Sequence, residues 1–86
     1  NDHADDWGTK DALSSFRLED LLALTAAEFA DAFAGSPIRR AGLSGLQRNA
    51  CVALGNLKRG GAELELAARS HTDPLVREHA AWALAQ

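Results

Sequence analysis

The chain has 86 residues, a formal net charge of −3 and a single cysteine. This length accommodates one small domain with a modest core, and one cysteine excludes an internal disulfide. No apolar run approaches the length of a membrane span, and the first residues resemble neither a signal nor a transit peptide. We therefore expect a cytoplasmic monomer that does not contact a membrane, and we interpret the chain as a piece of a longer protein.

Charge is segregated along the chain. Residues 32–62 contain no acidic residue and five basic ones, whereas residues 1–31 contain eight acidic residues against Lys10 and Arg17. Such a distribution predicts an electropositive patch on an acidic body, and a patch of this kind binds phosphate or an acidic protein.

The first half of the chain predicts a tail followed by two short helices. Residues 1–15 are polar and acidic, which is typical of a linker or tail. Leucines at helical spacing over residues 18–24 predict a short amphipathic helix. Thr25 and Glu28 form a capping-box pattern that starts a second helix, which Gly35 would end.

The second half predicts longer helices. Ser36 and Pro37 resemble an N-cap and a first helical residue, and Gly42 would close the single turn that follows. Ser44 would then cap a helix over residues 45–57. After a basic loop over residues 58–61, we predict helices over residues 62–69 and 75–86, with Asp73 and Pro74 starting the last one.

Two of these helices are similar at an offset of thirty residues. Leu46, Ala50, Ala53 and Leu54 correspond to Val76, Ala80, Ala83 and Leu84. A helix–turn–helix unit of this length is typical of an α-solenoid, in which stacked repeats share a core. The predicted fold class is therefore all-α, with HEAT-like helical repeats forming a short right-handed solenoid over residues 16–86. The helices over residues 18–34 would cap the stack.

Three sequence segments make the resemblance specific. Residues 33–42 read FAGSPIRRAG, residues 45–56 read GLQRNACVALGN, and residues 73–84 read DPLVREHAAWAL. In this order and at this spacing they resemble the C-terminal region of epoxyqueuosine reductases. The resemblance extends over residues 16–86.

The resemblance implies a function. Enzymes of this family reduce epoxyqueuosine to queuosine in the anticodon loop of certain tRNAs. They use cobalamin and two [4Fe–4S] clusters, which upstream domains carry. The cysteine run that binds such clusters is absent from this sequence. The resemblance therefore implies a non-catalytic, tRNA-facing helical domain that holds no cofactor and no metal of its own.

The candidate RNA-binding residues lie in the acid-free stretch and at its end. Arg39 and Arg40 follow a predicted helix start, where backbone N–H groups also favour phosphate. Arg48 lies opposite Leu46 on the helical wheel, and arginine both contacts phosphate and stacks on unpaired bases. The full candidate set is Arg39, Arg40, Arg48, Asn49, Asn56, Lys58 and Arg59.

Several features have simpler interpretations. His79 and Trp82 are three residues apart on one helix, and we expect them at a packed repeat interface rather than stacked on a base. Asn56 suits helix capping or an interhelical hydrogen bond as well as RNA contact. Cys51 is expected to pack in the core. His3 and His71 are isolated, so neither predicts a metal site.

The sequence thus predicts a tRNA-docking domain whose basic face holds the anticodon region, or the stem, against the upstream catalytic domain of the same chain. A HEAT-type adaptor that binds an acidic peptide is the alternative. A self-contained enzyme is the least favoured interpretation, because the sequence contains no Ser/His/Asp set, no Gly-rich phosphate loop and no close pair of carboxylates.

Overall fold

The computed structural model describes residues 16–35 and 38–86, and the side chains of residues 16–35 and 42–86. Within these ranges all regular structure is helical. The helices are α1 (Leu18–Leu22), α2 (Ala26–Ala32), α3 (Ile38–Leu57), α4 (Gly61–Ser70) and α5 (Pro74–Leu84). The predicted all-α class is confirmed for this part of the chain. The predicted tail over residues 1–15 and the predicted cap at Ser36 and Pro37 lie outside the described residues.

The short helices begin where the capping patterns predict. The Thr25 amide donates to Glu28 Oε1 at 2.9 Å, and the Glu28 amide donates to Thr25 Oγ1 at 3.1 Å. This reciprocal pair satisfies two N–H groups that a helix start leaves without intrahelical partners. At α5, Asp73 Oδ1 accepts from the Leu75 amide at 2.9 Å, and Pro74 occupies the first turn. Both sequence predictions are confirmed.

Gly42 interrupts α3. Its φ of 85° and ψ of 161° are not helical, so the turn that starts at Ile38 and the helix that follows meet at a kink. A positive φ favours glycine because a Cβ atom would be strained there. The predicted break at Gly42 is therefore confirmed. The predicted N-cap role of Ser44 is wrong, because Ser44 already lies within the helical span and Gly42 is its non-helical residue.

The core lies where α5 packs against α3 and α4, and where α1 packs against α3. Its largest fully buried apolar side chains are Phe33, Cys51, Leu54 and Val76. Phe33 also contacts Phe16 and Phe29, with ring centroids 6.2 Å and 5.2 Å away. These aromatic contacts hold the segment before α1 against α2 and its end.

Two leucines of the predicted apolar stripes are not in the core. Leu57 is 56% exposed at the end of α3, and Leu84 is 45% exposed although its counterpart Leu54 is fully buried. Leu54 is covered by the turn after α3, since its side chain lies close to Gly60. The sequence predicts that Leu54 and Leu84 are equivalent positions, but only Leu54 is buried.

Candidate nucleic-acid interface

The exposed side of α3 carries three of the predicted RNA-binding residues. Asn49 and Asn56 are exposed, Val52 between them is also exposed, and Arg48 is half-buried beside them. Spacings of three, four and seven residues place these side chains along one face of a helix. Arg48, Val52 and Asn56 therefore share the side of α3 that lies opposite buried Leu46.

The Arg48 guanidinium is fixed at one end. Its Nε donates to the backbone oxygen of Ser44 at 3.3 Å, within the same helix. This bond uses one of the five N–H donors of a guanidinium. The group can therefore be held in place by α3 and still donate through its outer nitrogens. A side chain that is already ordered loses less conformational entropy when it binds a phosphate.

Lys58 ends α3 in a left-handed conformation, with a φ of 55°. The next amide, that of Arg59, donates to the Leu54 oxygen at 3.0 Å, as in a Schellman cap. Glycine is the usual residue at this position because other side chains are strained there. The Lys58 side chain is exposed, and its Nζ donates to the Gln86 backbone oxygen at 3.1 Å, at the end of α5.

Arg59 is engaged in the fold. Its Nε lies 2.9 Å from Glu19 Oε2, and Glu19 is buried on α1. This ion pair connects the loop after α3 to the first helix. Arg59 beside Glu19 also holds the pKa of that carboxyl below its usual value. The Arg59 side chain is about half exposed, and its charge is already paired with Glu19. Its contact with RNA remains a prediction.

Arg39 and Arg40 lie in the first turn of α3, before the kink at Gly42. Their side chains are outside the described residues, so their proposed contact with RNA stays a prediction. The kink nevertheless separates their turn from the segment that carries Arg48. Arg48, Asn49 and Asn56 therefore lie on α3, and Lys58 directly follows this helix. Arg59 lies in the loop after α3 and is paired with Glu19 on α1.

Two residues of α5 add to this surface. The sequence predicts a packed interface for His79 and Trp82, and the Trp82 ring does lie against α3 at Gly55. Trp82 is nevertheless 43% exposed, and His79 is half-buried. His79 bonds within its own helix, where Nδ1 lies 2.7 Å from the Leu75 oxygen. Buried Val76, Ala80 and Ala83 define the core side of α5. Leu75, His79 and Trp82 each precede one of these buried residues by one position. Their spacing in the sequence therefore indicates a second row on α5, beside the core side.

The described residues hold no group of three His, Cys, Asp or Glu side chains that could bind a metal ion. Cys51 is fully buried among apolar side chains, and this burial raises the pKa of its thiol to about 11. A protonated thiol is a poor metal ligand and a poor nucleophile. Cys51 thus packs in the core, as the sequence predicts.

Relatives with known names match almost the whole chain. An epoxyqueuosine reductase of Xanthomonas campestris is 46% identical over an 85-position alignment that covers 94% of this chain and 23% of that protein. Epoxyqueuosine reductases of Alicycliphilus denitrificans and Pseudomonas aeruginosa are 40% and 38% identical, over 94% and 92% of this chain. The chain is homologous to one segment of the epoxyqueuosine reductases. It spans 21–25% of the length of these relatives. The family resemblance of the sequence motifs is confirmed.

No protein-family profile and no solved structure matches the chain. Among the helices of the described residues, none is both long enough and apolar enough to cross a membrane.

Proposed function

We propose that this chain is a non-catalytic tRNA-docking domain of an epoxyqueuosine reductase. The observation that carries the proposal is the row of half-buried Arg48 and exposed Asn49 and Asn56 on α3, in a chain homologous to a segment of these enzymes. Cationic and amide side chains in such a row can contact phosphate oxygens, and these contacts fix the register of a nucleic acid on a protein.

The scaffold that we propose is HEAT-like. Leu46, Ala50, Val76 and Ala80 are all buried, and they are equivalent positions in the thirty-residue offset. α3 and α5 would then be the second helices of two successive repeats, with α4 as the first helix of the later repeat and α1 and α2 as capping helices. In such an array the second helices lie side by side, which gives a ligand a continuous two-helix surface.

In this proposal the domain supplies binding and orientation, and it does not take part in the chemistry. The reduction of epoxyqueuosine to queuosine in the anticodon loop, with two [4Fe–4S] clusters and cobalamin, would belong to the upstream catalytic domain of the same chain. Within the described residues, Cys51 is too deeply buried to serve as a cluster ligand. The domain would act by holding the tRNA in register, which lowers the entropic cost of the reaction step.

The test is tRNA binding by the 86-residue chain at several salt concentrations. Arg48→Ala should weaken binding and reduce the slope of log affinity against log salt by about one unit or less, because one phosphate contact is lost. Arg69→Ala is the matched control, since Arg69 is an exposed arginine on α4, away from the row. Equal effects of the two substitutions would reject the interface, and absence of tRNA binding would reject the docking function.

A second candidate function is a HEAT-type protein adaptor. A shallow groove between α1 and α4 is lined mainly by apolar groups, including Leu22 and Leu66. Leu66 is more than half exposed, and exposed apolar surface of this kind is common at protein interfaces. Leu66→Ala should leave tRNA binding unchanged under the docking proposal. If the domain is an adaptor, the same substitution should weaken binding to a protein partner.

A further inference from the structure

A shallow hollow lies between α3 and α5, next to the proposed phosphate contacts. It has a volume of about 390 Å³ and is lined by Val52, Glu78, His79 and Trp82. Its floor is an aliphatic side chain and an indole ring, and its polar groups come from one helix.

The indole of Trp82 is seated against the backbone of α3. A Cβ atom at Gly55 would lie 2.9 Å from Trp82 Cζ3 and 2.9 Å from Ala83 Cα, so the absence of a side chain at Gly55 is what allows this approach. One part of the ring is therefore packed, while 43% of the residue remains exposed. A ring held in this way offers a flat apolar surface at little cost in conformational entropy.

The polar groups of the hollow accept hydrogen bonds. The Leu75 oxygen can only accept, so His79 donates to it through Nδ1, and the Nε2 atom of the neutral ring is an acceptor. Glu78 is exposed at the same hollow, and its carboxylate also accepts. An anion would be repelled by Glu78. A nucleobase with amino or imino N–H groups would instead donate to both acceptors.

Cationic groups lie at the border of the hollow. Arg48 is one helical turn before Val52 on α3. At the other end, Lys58 Nζ donates to the Gln86 backbone oxygen, and Gln86 Nε2 donates to the Trp82 oxygen at 3.0 Å. Arg48 thus precedes the hollow on α3 and Lys58 follows it, so cationic groups for phosphate lie on the same helix as a hollow that suits a base.

We infer that Trp82 is a stacking platform for an unpaired base of the bound RNA, with His79 and Glu78 at the edge of that base. The inference rests on the proposed docking function and adds to it a preference for single-stranded RNA. An aromatic surface can stack only on a base that is not already stacked within a helix. The site would favour guanine, whose N1–H and N2 amino group offer adjacent donors for both acceptors, over uracil, whose Watson–Crick edge offers the single N3–H donor.

The test uses the 86-residue chain with two RNAs of equal length and charge, a hairpin with an unpaired loop and a blunt duplex. Trp82→Leu should weaken hairpin binding about 5- to 150-fold, since stacking contributes about 1–3 kcal/mol per base. It should leave duplex binding and the salt slope unchanged. Trp82→Phe keeps a ring and should retain most of the affinity. In a Trp7→Phe background, Trp82 is the one tryptophan of the chain, and its fluorescence should fall when the hairpin binds.

The failure of this inference can be distinguished from the failure of the docking function. Unchanged hairpin binding by Trp82→Leu, together with weakened binding by Arg48→Ala, would overturn the stacking site and leave docking intact. Equal losses for hairpin and duplex would overturn it as well, because Trp82 would then act through the shape of the domain. Absence of binding by the unsubstituted chain to either RNA would overturn both. Unchanged circular dichroism in Trp82→Phe and Trp82→Leu is the folding control.

Discussion

The buried amide of Gln47 is hydrogen-bonded to the ring of His71, with Gln47 Oε1 and His71 Nε2 2.8 Å apart. The amide nitrogen of Gln47 donates toward three backbone oxygens at the end of α1, at distances of 2.9–3.3 Å. The other ring nitrogen of His71 accepts from the Asp73 amide at 3.0 Å. One side chain of α3 therefore connects the end of α1 to the turn between α4 and α5.

Gln47 should contribute strongly to stability. Gln47→Met has a similar volume but cannot donate, so it leaves buried carbonyl oxygens at the end of α1 without partners. We expect it to lower the free energy of unfolding by about 1–3 kcal/mol, the cost of unsatisfied buried polar groups. Urea denaturation followed by circular dichroism measures this change. Asn49→Met, which replaces an exposed amide on the same helix, should change stability by about 0.5 kcal/mol or less. Equal effects would show that the network is not stabilising.

His71, in the turn before α5, and His79, on α5, should be opposite tautomers. His71 Nδ1 faces an amide N–H and must accept, so its proton is on Nε2. His79 Nδ1 faces a carbonyl oxygen and must donate, so its proton is on Nδ1. Nitrogen-15 NMR of the imidazole rings, at a pH where both are neutral, distinguishes the tautomers. The same tautomer at both residues would contradict either the Gln47 network or the acceptor role of His79 in the hollow.

Close packing of α3 on α5 depends on Gly55. The added Cβ of Gly55→Ala would lie only 2.9 Å from backbone and ring atoms of α5, so the helices must separate. We expect a loss of about 1–3 kcal/mol from overpacking, reduced by about 1 kcal/mol because alanine favours helix. Gly61→Ala is the matched control, since no atom lies within 4 Å of its added Cβ and it should stabilise α4 slightly. Thermal unfolding of the two variants compares them directly, and a stabilised Gly55→Ala would contradict the close approach of the two helices at this glycine.

Much of the fold follows from local signals, whereas the interface does not. The capping pair Thr25 and Glu28, the break at Gly42 and the start at Asp73 each depend on neighbouring residues, so the sequence predicts them correctly. The exposure of Trp82 and the burial of Gln47 depend on how distant helices approach one another. Gln47 is polar and gives no apolar signal, although its hydrogen-bond partners lie 23–26 residues away. Similarly, nothing local to Arg59 indicates its pairing with Glu19.

Lys58 should show opposite effects on stability and on binding. Lys58→Gly removes the strain of a left-handed non-glycine residue and should stabilise the fold by about 1 kcal/mol. Lys58→Ala removes the same charge but keeps the strain, so it should give no such gain. Both substitutions should weaken tRNA binding to the same small extent, since each removes one cation beside the hollow. Chemical denaturation and binding at two salt concentrations separate the two effects. Unchanged binding in both variants would exclude Lys58 from the interface.

Acid should weaken the contact between α1 and the loop after α3. Arg59 holds the pKa of the Glu19 carboxyl below its usual value, and hydrogen bonds from Ser44 and the Leu75 amide likewise lower the pKa of Asp73. A carboxyl whose pKa is depressed in the folded state binds its proton more readily when unfolded. Its stabilising contribution is therefore complete above the unfolded pKa, near 4 for both residues, and is lost as the pH falls through the lower folded pKa.

We expect the melting temperature to fall as the pH is lowered from about 5 to 3, through the range in which unfolded carboxyls take up protons. Glu19→Gln should be less stable than the unsubstituted chain at pH 7 and should show a smaller fall, because this contribution is already absent. Glu65→Gln is the matched control, an exposed glutamate on α4 that should retain the full pH dependence. An identical fall in all three proteins would show that the pair of Glu19 and Arg59 does not stabilise the fold, and Arg59 would then be available to bind RNA.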